Sequence, residues 1–425
     1  MYMASLLSIL AQEMPPTWQE TFDDLGEGEI GQFEMLSDGN LIVAGGISVP
    51  GRASDAWVAK ISADGQVIWN QIFGGPARDE VNYIRVRDDN TILVGGLRDA
   101  QFIYGNVFFA AISANGELLW DVTLGPPHNN ETNVSLSIVR ELADGRIIAG
   151  GRSFPDRQAF FAMIAPSGEV LWELKSERDK GAEKELVLAL RPQANAKTIA
   201  SFGFGQIALR VRLLPENKLA LSTITIPMTP LYNANGHNQA TGLRIENCFV
   251  VDADGMVLPD EACDSEDGTS RDSRLRNAVQ GSSTGSLPFT GHPVLRKFDA
   301  NGKLEYETIL SDIPNGGFAK AIVSNDGGTI GAGYVKNEED DDQMHRWDGL
   351  LVKTNSTGEV VWQHIFGGSR RDEFKNVLEA PDGSIFVTGI TGSQGALRWS
   401  PWLLKLTPKG ELTGDALLEL QDFQE

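Results

Sequence analysis

Carboxylates are the first candidates for chemistry in this chain. Asp79-Glu80 and Asp372-Glu373 each follow a Phe-Gly-Gly triplet, at Phe73-Gly74-Gly75 and Phe366-Gly367-Gly368, and Glu29 and Glu131 occupy similar places. Paired carboxylates can pass protons or hold a hard cation. A pair that recurs at one point of a repeat is explained more simply by a turn or by a bond between repeats. The acidic run from Asn337 to Arg346 is not repeated, and its Asp340, Asp341 and Asp342 offer several oxygen ligands of the kind calcium takes. Runs of like charge are equally the mark of a solvated segment. Asp252, Asp254, Gly255 and Glu261 partly imitate a calcium-binding loop, but the first ligand position is Val250, which cannot coordinate.

Nucleophilic catalysis finds less support. The histidines are His128, His237, His292, His345 and His364. No phosphate-binding loop accompanies them. His364 stands beside a repeat tryptophan and reads as packed or rim-exposed. His128, in Pro126-Pro127-His128-Asn129-Asn130, is the one placed where a ligand could reach. Cys248 and Cys263 form no Cys-x-x-Cys pattern. In an exported protein they would pair, and so short a closed loop would stabilise by about 3 kcal/mol.

The elements that position these residues follow from a repeat. Asp64-Gly65-Gln66-Val67-Ile68-Trp69 recurs as Asn115–Trp120, Ser167–Trp172 and Thr357–Trp362, with a period of about fifty residues in the first three copies. Within one period, Leu41–Gly46 is a short apolar run ending in glycines. Asp55–Ile61 alternates, Ala63-Asp64-Gly65 is a two-residue hairpin signal, Gln66–Phe73 is a further strand, and Glu80–Val86 is another. Tight turns require antiparallel neighbours, and a repeated four-stranded antiparallel sheet is a propeller blade. Glycine-rich strands at Leu41–Ile47, Ile92–Arg98, Ile147–Ser153, Thr198–Phe204, Thr329–Val335 and Ile385–Thr391, with a degenerate copy at Met256–Ala262, predict seven blades. Six result if 206–290 is an insertion. The glycine-rich strand is expected innermost, where backbones crowd, followed by the Trp57-type and Trp69-type strands, with the Ile84-type strand at the rim. Trp18–Phe22 aligns with Trp69–Phe73, and Pro401–Leu406 with Ala56–Ile61. The termini should therefore share the last blade, with inner strands from 384–407 and outer strands from 16–37, which leaves no open edge. The repeated tryptophans Trp18, Trp69, Trp120, Trp172 and Trp362 read as packing between sheets. Lys60, Lys353 and Lys405 recur in the same way and read as structural.

Function should then lie where the repeat is broken. Loops after the glycine-rich strand and loops such as Gly74–Asp79 share one face, and the Asp-Gly turns share the other. The long insertions fall on the first face, which becomes the expected binding face. Its candidates are Arg98, Asp99, Tyr104 and His128, then Phe154 and Arg157, then Glu338, His345, Arg346 and Trp399. An enzyme would show an unrepeated charged cluster around Arg98, Asp99, Arg152, Asp156, Arg157 and Glu338. A binding scaffold would show an aromatic patch drawn from Phe102, Tyr104, Phe154 and Trp399.

Acidic residues outnumber basic ones by 58 to 36, for a net charge of −22, which argues against nucleic acid as a partner. No apolar run reaches the ~18 residues of a membrane-spanning helix. Leu6–Ala11 followed by Gln12-Glu13 looks like the end of a secretory signal, so residues 1–15 are expected to be its remnant and the protein to be exported in bacterial fashion, to the periplasm or outside the cell. A single domain over 16–412, with a loop insertion at about 229–291, and a tail at 413–425 complete the predicted organisation.

The residues Asp55-x-Trp57-Val58-x-Lys60, Asp64-Gly65-x-x-x-Trp69 and Phe73-Gly74-Gly75 recur as Asp348–Lys353, Gly358-x-x-x-Trp362 and Phe366-Gly367-Gly368. This pattern resembles bacterial secreted β-propeller repeats, grouped with the quinoprotein-like propellers. The likeness covers about 16–230 and 290–410. It implies the architecture, and such propellers host enzymes and scaffolds alike. The quinone-dependent members carry an adjacent cysteine pair and a calcium-binding acidic set. This chain has no adjacent cysteines, which argues against pyrroloquinoline quinone. No cofactor is expected, with calcium the one candidate ion. The leading expectation is a non-enzymatic exported scaffold that binds protein or glycan. The alternative is a hydrolase or lyase using carboxylates in a central funnel, with or without calcium.

Overall fold

The structure is a computed structural model that describes residues 16–49, 51, 53–101, 104–124, 133–154, 159–178, 185–191, 197–198, 206–213, 218–225, 231–232, 238–239, 245–258, 279–283, 291–299, 303–336, 347–395 and 397–413. The chain divides into two compact units, one of residues 31–271 and one of residues 1–30 with 272–425. Both are built from antiparallel strands. Asp23–Leu25, a single 3₁₀ turn, is the helical element among the described residues.

In the 31–271 unit, one sheet is ordered Gly28–Met35, Leu41–Ser48, Ser54–Ile61, Val67–Phe73, its first strand straddling the unit boundary. The next is ordered Arg78–Val86, Ile92–Gln101, Tyr104–Ile112, Leu118–Leu124. The third runs Asn133–Glu141, Ile147–Phe154, Ala159–Ile164, Val170–Arg178 and is extended by Glu185–Arg191 and the stub Lys197–Thr198. A single pairing, Val134 with Gly105, links the second and third into one ten-stranded sheet. A fourth is ordered Gln206–Leu213, Leu219–Thr225, Ile245–Val251, Val257–Leu258.

The other unit holds a three-stranded sheet, Val279–Ser283, Pro293–Phe298, Leu304–Ile309, and a four-stranded one, Gly316–Val323, Thr329–Lys336, Trp347–Thr354, Val360–Phe366. Its last sheet is Asp372–Glu379, Ile385–Thr391, Ser400–Leu406 and the N-terminal strand Trp18–Thr21, which pairs Trp18 with Lys405 and Thr21 with Trp402. Among the described residues there are thus six four-stranded antiparallel blocks, a propeller-like all-β arrangement.

The termini do share a sheet. The division of strands differs from the expectation, because only 18–21 joins it while Gly28–Met35 opens the next sheet. The same one-strand shift applies throughout. Val86 pairs with Ile92, so the Ile84-type strand is the first strand of its sheet, beside the glycine-rich one, and is not a rim strand following Trp69. The glycine-rich strand is second, not an edge. The physical reason lies in the connections. The turns after Val86 and Glu379 are tight enough to force pairing, whereas Gly74 to Ala77 carries the chain across to a new sheet. The fourth edge is the exposed one: Ile68, Leu119 and Val361 are all more than half exposed.

A second correction concerns 198–262. Thr198 extends the third sheet by pairing with Val187, and residues 199–205 lie outside the described residues. Val257–Leu258 is a fourth strand after the Asp254-Gly255 turn, not a glycine-rich second strand. The repeat turns are also not two-residue hairpins. Gly65 N–H donates to Ser62 O (3.0 Å) and Ser62 N–H to Gln66 O (2.8 Å), with Gly65 at φ 94° and a bulge at Lys60/Ile61. This is a three-residue loop whose last residue must be left-handed, the place glycine fills.

Consecutive sheets within a unit pack face to face. Ile42, Ala44 and Val58 meet Val81, Val94 and Phe108, while Leu93 and Phe109 meet Ala149 and Phe160. The repeat tryptophans sit on these seams. Trp69 Nε1–H donates to Ala114 O (3.1 Å), Trp120 to Pro166 O (3.0 Å) and Trp172 to Ala253 O (3.3 Å), each two residues before the turn glycine of the following sheet. A Cβ on Gly116, Gly168 or Gly255 would lie 2.8, 2.6 or 2.5 Å from that indole. In the other unit Trp362 lies on Gly410, and Tyr306 takes the tryptophan's place on Gly358. Two of the repeat lysines pair within the fold, Lys353 with Asp326 (3.1 Å) and Glu379 (3.2 Å) and Lys60 with Asp38 (3.5 Å), and Lys405 lies over the Phe386 ring (5.7 Å).

Gly168→Ala is expected to destabilise by about 2–4 kcal/mol, because it adds overpacking against Trp120 to the cost of a left-handed alanine. Gly51→Ala, also left-handed but with open space around it, should cost about 1 kcal/mol in the same urea titration.

Candidate functional site

Each sheet has a turn end and a loop end. Among the described residues the short turns, most of them ending in glycine, close one end of the hairpins, and the connections leaving Arg98 and Gly392 and the crossovers 74–78 and 367–371 lie at the other, so the expected separation of turns from loops holds within these sheets.

The carboxylates of the two Phe-Gly-Gly crossovers are buried in the same way. Asp79 is 1 % exposed; its Oδ2 accepts Gly75 N–H (2.8 Å) and its Oδ1 accepts Asp99 N–H (3.1 Å). Asp55, from the preceding sheet, is equally buried, and a Cβ on Gly74 would lie 2.6 Å from Asp79 Oδ2 and 2.7 Å from Asp55 Oδ1. Asp348 and Asp372 repeat this arrangement around Gly367. Asp372 Oδ2 accepts Gly368 N–H (3.1 Å) and Ser393 Oγ–H (2.6 Å), and its Oδ1 accepts Thr391 Oγ1–H and Ser393 N–H (3.3 Å). Burial pushes the carboxyls of Asp79 and Asp372 above the ordinary carboxylate range, against the pull of these donors. An acid–base pair needs access to a substrate proton. These oxygens instead hold the crossover backbone, which makes the aspartates anchors between neighbouring sheets. Glu80 and Glu373 are tied to the adjacent arginines, Glu373 to Arg371 (2.6 Å) and Lys375 (3.0 Å) and Glu80 to Arg78. Lys375 also reaches Glu29 (3.7 Å), and although burial works against its ammonium, Glu29 and Glu373 raise its pKa.

Among the expected binding-face residues, Arg98 and Asp99 are internally engaged. Arg98 pairs with Asp121 (2.5 Å), donates to Thr123 Oγ1 (2.9 Å) and stacks over Phe108 (4.8 Å), while Asp99 is a left-handed residue (φ 53°) fixed by Asp79. Tyr104, Phe154, Arg152 and Cys248 are placed by backbone alone, in the strands Tyr104–Ile112, Ile147–Phe154 and Ile245–Val251. Phe102, His128, Glu131, Asp156, Arg157, Cys263, the 337–346 loop with Glu338, Asp340, Asp341, Asp342, His345 and Arg346, and the alanine that would end a signal at position 11 lie outside the described residues. No cluster of three or more metal-ligating side chains occurs among the described residues. His364 is packed as read, its Nε2 bonded to Lys409 O (2.8 Å) and its ring 5.2 Å from Trp362.

Trp399 is different. It is 37 % exposed at the loop end of the sheet that the termini share, and Arg398 stacks on its ring at 4.8 Å. The loop is pinned: Gly28 N–H donates to Trp399 O (3.0 Å), Arg398 N–H to Glu27 Oε1 (3.3 Å) and Gly392 N–H to Arg371 O (2.7 Å). A Cβ on Gly392 would meet Arg398 O at 3.0 Å, Arg371 O at 3.1 Å and Arg370 Cβ at 3.2 Å, so the crossover and the insertion run side by side. Sequence reasoning missed Arg370 and Arg398. The signal was present in the comparison of Ser369-Arg370-Arg371-Asp372 with Pro76-Ala77-Arg78-Asp79, in which Arg371 is the repeated arginine and Arg370 the added one.

Comparison with known proteins adds little. No protein-family profile matches the chain, and no curated protein matches it. Solved structures with a likeness include an ulvan lyase of a polysaccharide lyase family (11% identity, TM-score 0.41, 94% of this chain and 99% of that one). The exotype rhamnogalacturonan lyase YesX (12%, 0.41, 97% and 78%) and a protein of unknown function from Bacteroides caccae (13%, 0.33, 87% and 92%) also appear. Likenesses this weak carry no argument about activity, and no family match supports the resemblance to secreted propeller repeats.

Gly74→Ala should destabilise by about 1–3 kcal/mol through its clash with both aspartates, read by urea titration. The raised Asp372 pKa means that the folded chain holds a proton the unfolded chain has released, between the ordinary value of 3.8 and the raised one. Stability contributed by this group therefore falls as pH rises through that window. In a series of melting temperatures against pH, Asp372→Asn should lose this descending component, although the variant is less stable throughout.

Proposed function

We propose that the chain is an exported, seven-bladed β-propeller of the secreted repeat type that acts as a non-enzymatic scaffold and binds protein or glycan at its loop end. The blade count takes the three-stranded sheet at 279–309 as the seventh blade beside the six four-stranded blocks. The observation that carries the binding reading is the contrast at the loop end. Asp79 and Asp372 there are engaged by backbone donors and Glu80 and Glu373 by neighbouring cations, while the unrepeated Trp399 stands open. A pinned aromatic beside a guanidinium is a recognition surface, rich in contact area and poor in conformational entropy to lose. This reading requires no cofactor.

The test compares wild type with Trp399→Ala, a surface change that should leave the melting temperature within about 2 °C. On a polysaccharide array and in capture from native extract, retention of the ligand is expected to weaken about tenfold, the equivalent of ~1.4 kcal/mol of lost stacking. Wild type incubated with the same polymers should release no new ends. Release of new ends by the folded wild type would instead favour the hydrolase or lyase alternative.

A further inference from the structure

We propose that the Trp399 platform is specific for an anionic sugar, a hexuronate unit of an acidic polysaccharide, held between the indole face and the guanidinium groups of Arg398 and Arg370. The proposal rests on the binding reading above and narrows it to one ligand chemistry.

The charge pattern leads to it. The protein is strongly acidic, with a net charge of −22. At the loop end of this one sheet acidic and basic side chains are mixed, with the Asp23 carboxylate beside Gly395. Arg371, Lys375, Glu373 and Glu29 form a closed network of two positive and two negative charges. Glu27 lies close, but its carboxylate accepts the backbone N–H of Arg398 and pairs with neither guanidinium. Arg370 and Arg398 are left as two exposed cations that form no ion pair among the described residues. Both lie where the repeat is broken: Arg370 replaces the position of Ala77, and Arg398 belongs to the 392–399 insertion. Their segments are locked side by side, with Gly392 packed between them and Arg370 N–H donating to Ser393 Oγ (3.0 Å), the hydroxyl that also bonds Asp372.

The geometry then selects the ligand. The Arg398 guanidinium lies over the Trp399 ring, 4.8 Å from its centroid, so it covers one indole face and leaves stacking to the other, with its forked donors close by. A pyranose packs its C–H face on an indole, and a guanidinium binds a carboxylate through two parallel hydrogen bonds. A uronate carries its carboxylate fixed to the ring that stacks, so one rigid unit satisfies both contacts at little entropic cost. An acidic peptide offers its carboxylates on flexible stems and lacks the flat face. A neutral sugar leaves both arginines unused.

The test is calorimetric titration of the full chain with tetragalacturonate and with its fully methyl-esterified form, which keeps the ring and removes the charge. Tetragalacturonate should bind at least tenfold more tightly than the ester. Arg398→Gln and Arg370→Gln should bring the acid to the affinity of the ester, and Trp399→Ala should weaken both forms. Equal binding of acid and ester, indifference to Arg398→Gln, equal or tighter binding of hexaglutamate, or no binding of tetragalacturonate would each overturn the proposal. In the last case, loss of an array or extract ligand in Trp399→Ala would show that the scaffold reading survives without the uronate.

Discussion

An indole resting on a left-handed glycine is the contact on which the rest of this protein depends. A sheet of short strands cannot bury both faces alone, and its neighbour must be set at the right height. Trp69 on Gly116, Trp120 on Gly168 and Trp172 on Gly255 do this by joining area to direction. The ring covers the turn, and its N–H is tied to a carbonyl two residues upstream. Glycine is required twice at each turn, because φ is positive and because a Cβ would enter the ring. The motif therefore couples a hairpin within one sheet to the seam with the sheet before it.

The loop ends carry a second repeated device. Asp55 and Asp79, like Asp348 and Asp372, come from adjacent sheets and close around a glycine of the crossover. All four carboxylates are buried, and at Asp79 and Asp372 backbone N–H groups offset part of the desolvation cost. This explains why residues that look catalytic in the sequence hold the chain together instead. Chemistry directed outward has to come from side chains that the repeat does not already use. Arg370 on the crossover and Arg398 and Trp399 on the neighbouring loop, which backbone hydrogen bonds pin in place, meet that condition.

Much of the fold was legible. Periodicity, turn glycines and alternation identified antiparallel four-stranded units, the seam role of Trp69, Trp120, Trp172 and Trp362, and the meeting of the two termini in one sheet. Strand order was not legible, because the Ile84-type strand has the same alternation whichever neighbour it pairs with. Only the tightness of the Arg87–Thr91 turn against the Gly74–Ala77 crossover separates the two registers, and a sequence shows both as polar, glycine- or aspartate-rich breaks. The region 198–262 was misread for a related reason: its glycine-rich strand lacks the glycines, and the Asp254-Gly255 turn was the better guide.

The residue pattern by itself determined the unit, its turns, its packing anchors and the absence of a quinone-type cysteine pair, since these depend on local conformation and on spacing along the chain. Which charges remain available to a ligand was decided only by tertiary structure. Arg98 and Arg398 look alike as sequence, each a basic residue where the repeat is broken. Folding buries Arg98 against Asp121, Thr123 and Phe108 and leaves Arg398 open on Trp399. An ion pair is formed by groups brought together from distant strands, and no spacing along the chain records which partners will meet.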